Sequence, residues 1–157
     1  MVLWPPVISG KEVSSVTVVR KEVVVGAPFE RVFAYVNEPT TLADWLPSMV
    51  GVQGVIGSGL GQQYEWTYKM AGLLLRGQSV VVEMIPNHRA VHQSIGTIGS
   101  SWTFVVEPHD GGTALTVEVA YTVPVPVLGR LAEKLAVRRD SRDLEAALVN
   151  VKETLEA

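Results

Sequence analysis

The chain has 157 residues, of which 47% are hydrophobic and 18% charged, and its formal net charge at pH 7 is −3. The length favours one domain over 1–157, which is large enough to bury a hydrophobic core without stabilising disulfides or metals. The lack of cysteine excludes disulfides, thiolate catalysis and cysteine-ligated metals, and the weak negative charge argues against a nucleic-acid partner.

The first third of the sequence predicts a strand followed by two short helices. Residues 14–25 are β-branched and partly alternate, which is typical of a strand. Pro28 suits the first turn of a helix, and an apolar stripe follows it at helical spacing. Pro39 can begin a second short helix over 39–45, and Pro47 ends it.

Five glycines fall within residues 51–62, a density found both in phosphate-binding loops and in bent hairpins. A dinucleotide fingerprint needs a helix after its glycines, whereas Gly57, Gly59 and Gly61 lead into the alternating stretch 64–70. Their spacing also differs from that fingerprint, and no Lys-Ser or Lys-Thr pair follows. We therefore predict that these glycines bend a hairpin and its bulges.

From residue 48 to residue 123 the pattern predicts an antiparallel meander, because strand-like runs are separated by short turns such as PHDGGT. The most distinct strands are predicted over 64–70, 73–85, 90–96, 101–107 and 114–123. A long helix is predicted from about Leu128 to Glu156, with two apolar stripes that differ in phase. Between the stripes, at 138–143, we expect either a bend or a face directed at a less apolar environment.

Three segments carry a resemblance to a known family. They are VVVGAPFERVFAYVNEPTTLADWLP (23–47), SWTFVVEPHDGGTALTVEVAYTVP (101–124) and LEAALVNVKETLEA (144–157). Together they resemble the helix-grip superfamily (SRPBCC; START domains and the birch pollen allergen), in its polyketide cyclase/dehydrase branch. The resemblance implies an α+β fold: a curved seven-stranded antiparallel sheet wraps a long C-terminal helix, with two short helices after the first strand. It also implies an internal cavity for a hydrophobic or amphipathic small molecule.

Alternation along the predicted strands points an aromatic set toward the concave face of the sheet. These side chains are Tyr64, Trp66, Tyr68, Trp102, Phe104 and Tyr121. Each is compatible with plain core packing or with a ligand pocket, since pockets of this kind are mostly apolar. Leu128, Leu131 and Leu135 of the C-terminal helix complete the predicted apolar part of the ligand-binding set.

Three polar residues are candidates for a role in the cavity. Counting by twos along the 73–85 strand places Gln78 and Arg76 on one face, where Arg76 can hold a carboxylate or carbonyl oxygen. The opposite register turns Leu75 inward and leaves Arg76 in solvent, and the uniformly apolar strand does not choose between them. His92 lies mid-strand and is either a general acid/base or an exposed or hydrogen-bonded strand residue.

Two functions follow from these observations. The first is a binding protein for a lipid, a quinone or an aromatic polyketide-like molecule. The second is a cyclase/dehydrase-type enzyme in which Arg76, Tyr64, Tyr68 and His92 polarise carbonyls and transfer protons. A protein-interaction module on the same scaffold has less support.

Other expectations concern cofactors, location and assembly. Three scattered histidines predict no metal site, and no motif predicts a cofactor. The opening residues lack a secretory pattern, so we expect a cytoplasmic protein without an integral membrane segment. The sequence leaves open whether the protein is a monomer or a homodimer.

Overall fold

A computed structural model describes residues 16–70, 72–122 and 133–157, with the backbone alone for 133–140. The strands are β1 (Val16–Val25), β2 (Met49–Ile56), β3 (Gln63–Met70), β4 (Leu73–Ile85), β5 (Arg89–Gly96), β6 (Gly99–His109) and β7 (Gly112–Thr122). The helices are α1 (Phe29–Asn37), α2 (Leu42–Trp45) and α3 (Glu133–Glu156), with a 3-10 turn at Pro39–Thr41.

All seven strands form one antiparallel sheet in the order β1-β7-β6-β5-β4-β3-β2. Strands β2 to β7 form a meander in which each strand pairs with the next, as the short turns predicted. Strand β1 pairs along its whole length with β7, so the first and last strands lie side by side. The result is the α+β helix-grip arrangement that the family resemblance implied, and that prediction is confirmed.

Glycines shape the sheet at two places, and the first lies in the segment 51–62, for which a bulge was predicted. Gly54 has φ +63° and lies within the irregularity of β2 between Gln53 and Ile56, so it acts in a bulge. Gly77 lies opposite Gly96 across β4 and β5, and a Cβ at Gly77 would overlap the Ile95 carbonyl oxygen. Because glycine has no side chain, β2 can bend at Gly54 and β4 and β5 can approach each other closely at Gly77 and Gly96.

The C-terminal half of α3 packs against the core and is hydrogen-bonded to the end of β1. Leu144, Leu148, Val151 and Leu155 are buried, as their predicted stripe requires. At the last turn, the Gly26 amide donates to Glu156 Oε2 (2.7 Å), which ties the helix to the end of β1. Because this end of α3 is anchored, the space for a cavity lies toward its N-terminal half.

Two predicted boundaries extend past the described part of the chain. The strand predicted over 14–25 is observed from Val16, and its first two positions lie outside the described residues. The helix predicted over 128–156 is observed from Glu133, and 128–132 likewise lie outside them.

In the described part of the chain, no helix is long and apolar enough to cross a membrane.

Candidate ligand cavity

The inner face of the sheet, together with α2 and α3, surrounds a cavity of about 80 Å³. Its lining is mainly apolar, and six of its aliphatic and thioether side chains are Leu42, Leu46, Met49, Met70, Leu75 and Leu144. This space exceeds the roughly 10–15 Å³ that one water needs. It is smaller than the about 150 Å³ of an engineered cavity that binds benzene, so an organic ligand must push lining side chains apart. Two unbranched methionines in the wall suit such an adjustment.

The structure places all six predicted aromatic residues around this cavity. Tyr64, Trp66, Tyr68, Trp102, Phe104 and Tyr121 all line it. They reach it from β3, β6 and β7, and the alternation along each strand turns them to the same side of the sheet. Their contact with a ligand stays a prediction. Of the predicted leucines, Leu128 and Leu131 lie outside the described residues, and the side chain of Leu135 is not described.

Of the two registers considered for β4, the one that turns Arg76 and Gln78 inward is wrong. Both side chains are exposed on the outer face of β4, and neither lines the cavity. The opposite register is the one observed, with Leu75 and Ser79 buried and facing inward. The count by twos assumed that the apolar residues of β4 mark its buried face. Leu74 is apolar, yet it is 56% exposed on the outer face. Arg76 therefore cannot hold a ligand oxygen inside this cavity.

A row of five hydroxyl groups crosses the cavity wall, and sequence analysis missed most of it. Tyr64, Ser79, Ser94, Ser100 and Tyr121 are direct cross-strand neighbours on β3, β4, β5, β6 and β7 in turn, and all line the cavity. Directly opposed residues have Cβ atoms about 4.5–5.5 Å apart. We call this row the hydroxyl ladder; it forms a polar stripe across an otherwise apolar wall.

His92 is buried on the same inner face of β5 as Ser94, two residues away, but it does not line the cavity. It is 2% exposed, and its ring contacts Tyr64 and Phe104 edge-on. Its Nδ1 is 2.8 Å from the Tyr64 hydroxyl and its Nε2 is 2.9 Å from Asn37 Oδ1. Burial lowers the pKa of His92 to about 4, so the ring is neutral at pH 7. The predicted acid/base role is therefore not supported by its position, which is that of a positioning residue for Tyr64.

The hydrogen bonds of Asn37 identify which nitrogen of His92 carries the proton. Asn37 Nδ2 lies 3.0 Å from the Phe33 carbonyl oxygen, which can only accept, so the amide nitrogen must face it. Asn37 Oδ1 therefore faces His92 and accepts from Nε2–H. The Nδ1 atom then has a free lone pair, and Tyr64 donates its hydroxyl proton to it. Burial raises the pKa of Tyr64 well above its usual range, so the phenol keeps its proton.

A second polar contact joins β3 to α3 at the partly exposed border of the cavity. The Tyr68 hydroxyl donates to Asp143 Oδ2 at 2.8 Å, and both residues line the cavity. Asp143 belongs to the charged segment 138–143, where either a bend or a less apolar environment was expected, and at this one position the partner is a tyrosine hydroxyl. Nothing in the spacing of these charges distinguishes Asp143 from Arg142, which is exposed.

We expect Tyr68→Phe to lower the free energy of unfolding by about 1–2 kcal/mol, because it removes a hydrogen bond to a charged acceptor. Urea unfolding of Tyr68→Phe, Asp143→Ala and the double variant measures the coupling between the two side chains. Strictly additive losses would show that this contact does not join the sheet to α3.

Trp66 carries the other polar group of note in the lining. The residue is 9% exposed, and its indole Nε1–H is buried without a hydrogen-bond partner among the described residues. A buried donor without a partner costs roughly 1–3 kcal/mol, and an acceptor atom on a bound molecule would recover part of it. Among the same residues, no three histidine, aspartate or glutamate side chains are close enough to share a metal ion.

Comparisons with known proteins agree on the architecture. A family model described as polyketide cyclase / dehydrase and lipid transport matches residues 16–156. Among solved structures, a Thermus thermophilus protein has a TM-score of 0.77 at 23% identity, covering 88% of this chain and 97% of that one. An aromatase/cyclase from Streptomyces sp. R1128 has a TM-score of 0.72 at 18% identity, with coverage of 90% and 94%.

A START superfamily protein from Mycobacterium smegmatis has a TM-score of 0.69 at 20% identity, with coverage of 88% and 97%. At these identities the structural likeness shows the fold alone. No curated protein matches the sequence significantly.

Proposed function

Because the chain belongs to the polyketide cyclase/dehydrase and lipid transport family, we propose that it binds a hydrophobic or amphipathic small molecule between its sheet and α3. The observation that carries this proposal is the cavity itself, walled by six aromatic side chains and crossed by the hydroxyl ladder. An apolar wall with a few placed polar groups is typical of small-molecule sites. A lipid, a quinone or an aromatic polyketide-like compound would each match that chemistry.

The composition of the wall favours binding over catalysis. Of the four polar groups that the enzyme hypothesis requires, Arg76 faces solvent and His92 is neutral and does not line the cavity. Tyr64 and Tyr68 remain at the cavity, and both are already engaged, Tyr64 with His92 and Tyr68 with Asp143. Hydrogen-bonded phenols can orient a bound molecule without transferring a proton to it.

A cavity-filling variant tests the proposal. Ser100 lines the cavity and is 8% exposed, whereas Ser101 is the next residue on β6 and faces the opposite side of the sheet. We expect Ser100→Leu to weaken the binding of p-xylene at least roughly tenfold, because the leucine occupies the space that the ligand needs. Isothermal titration calorimetry with p-xylene measures the affinity directly.

Ser101→Leu is the matched control, with the same substitution on the other face, and should bind p-xylene like the original protein. Urea unfolding of both variants verifies that they fold. Unchanged p-xylene binding in folded Ser100→Leu would contradict a ligand site in this cavity.

A further inference from the structure

The indole ring of Trp66 is held in place by the backbone of the neighbouring strand. Trp66 lies directly opposite Gly77 of β4. Its ring covers the space that a side chain at Gly77 would occupy, because a Cβ built there would overlap Cζ2 and lie 2.9 Å from Cε2. Cε2 is bonded to Nε1, so this contact fixes the edge of the ring that carries the N–H. The donor is therefore positioned by packing before any ligand binds, which lowers the entropic cost of using it.

The neighbours of Trp66 give its N–H no acceptor. Its cross-strand neighbours are Val52 on β2, which is aliphatic, and Gly77 on β4, which has no side chain. The next inward-facing residues on β3 are Tyr64 and Tyr68, whose hydroxyls bond to other side chains. Nε1 is buried without a hydrogen-bond partner among the described residues. Since buried polar groups are nearly always paired, this N–H indicates an acceptor that the described part of the chain does not supply.

We propose that the Trp66 Nε1–H is a ligand-binding donor, and that the cavity selects small molecules with an acceptor oxygen placed against it. This inference rests on the proposed function and specifies a recognition group for the same site. An indole N–H can only donate, whereas the hydroxyls of the ladder can donate or accept. A carbonyl, ether or hydroxyl oxygen on the ligand can accept from it, and a hydrocarbon leaves it unpaired. Because the donor is already buried, this pairing recovers a desolvation cost that the folded protein bears.

Two ligands of nearly the same shape isolate this hydrogen bond. Acetophenone carries a carbonyl oxygen where α-methylstyrene carries a methylene group, and both have one phenyl ring. Nitrogen-15 NMR of the unmodified protein detects the indole N–H signals, which are assigned through the backbone resonances. Acetophenone should move the Trp66 indole proton further downfield than α-methylstyrene does. Trp45 is the internal control, because its Nε1–H already donates to Thr41 Oγ1 and it does not line the cavity. Its signal should not distinguish the two ligands.

A matched pair of variants measures the same contact as an affinity. Trp66→Phe should weaken acetophenone binding roughly three- to tenfold more than it weakens α-methylstyrene binding, since only acetophenone loses a hydrogen bond. Trp102→Phe removes an indole from another part of the same lining and should change both affinities by the same factor. Isothermal titration calorimetry measures each affinity, and urea unfolding verifies that both variants fold. The NMR comparison needs no variant, so it decides the question even where Trp66→Phe does not fold.

The outcomes separate this inference from the proposed function. If acetophenone, α-methylstyrene and p-xylene all fail to bind the unmodified protein, the proposed function fails and this inference fails with it. If the two hydrocarbons bind and the Trp66 signal responds equally to acetophenone and α-methylstyrene, the cavity accepts ligands and only the role of Trp66 is overturned. A selective loss of acetophenone binding in Trp102→Phe but not in Trp66→Phe would assign the donor to the other indole and also overturn the inference.

Discussion

Acidification from pH 7 to pH 4 is expected to lower the free energy of unfolding by about 3 kcal/mol through His92 alone. Burial lowers the folded-state pKa of His92 from 6.5 to about 4. Between these values the unfolded chain binds a proton that the folded chain does not, so falling pH favours unfolding. The stabilisation is fully present above about pH 6.5 and is lost as pH falls toward 4.

Urea unfolding at intervals between pH 7 and pH 4 measures this slope. In His92→Gln the group that titrates is gone, so most of the slope above pH 4.5 should disappear even though the variant starts from a lower stability. His88→Gln is the control, since His88 is exposed in the turn after β4 and should keep the full slope. Glu156 also has a lowered pKa, through hydrogen bonds from Lys152 and Gly26, and it acts only below its ordinary value of 4.5. A slope that persists unchanged in His92→Gln would refute the buried, neutral state of this histidine.

Gly77→Ala is expected to destabilise the protein by about 2–3 kcal/mol, the upper range for overpacking a tight site. An added Cβ would overlap the Ile95 carbonyl oxygen on β5 and the indole ring of Trp66. The backbone oxygen cannot move without disturbing the β4–β5 ladder, and Trp66 cannot move without changing the cavity wall. The variant should therefore lose both stability and affinity for p-xylene.

Gly51→Ala provides the comparison, because nothing lies within 4 Å of a Cβ built at Gly51 on β2. Its stability should stay within about 0.5 kcal/mol of the original. Thermal and urea unfolding of the pair measure the difference. Equal stability of the two variants would contradict the close approach of β4, β5 and Trp66.

The sequence predicts the strands best where polar and apolar residues alternate strictly. Strand β3 alternates in this way, β6 and β7 do so over part of their length, and the aromatic side chains of all three reach the cavity. Strand β4 is apolar on both faces, with Leu74 and Val82 exposed. A count by twos therefore cannot identify which face of this strand is buried. The error at Arg76 follows directly from that ambiguity.

The polar part of the site depends on register and on distant contacts, which one sequence does not contain. Ser79, Ser94 and Ser100 become a ladder only when two hairpins, β4–β5 and β5–β6, have the observed registers, and a slip of one residue would turn a serine outward. The role of His92 depends on Asn37, which lies 55 residues earlier at the end of α1. Composition and spacing identify such residues as polar but not as partners.

Methionine methyl NMR tests the central claim, a ligand-accepting cavity between sheet and helix, most directly. Met49 and Met70 line the cavity, whereas Met84 packs against the core away from it. With carbon-13-labelled methionine methyl groups, titration with p-xylene should shift the Met49 and Met70 signals and produce ligand contacts to both. The Met84 signal should stay in place. Shifts absent from Met49 and Met70, or equal at Met84, would contradict binding in this cavity.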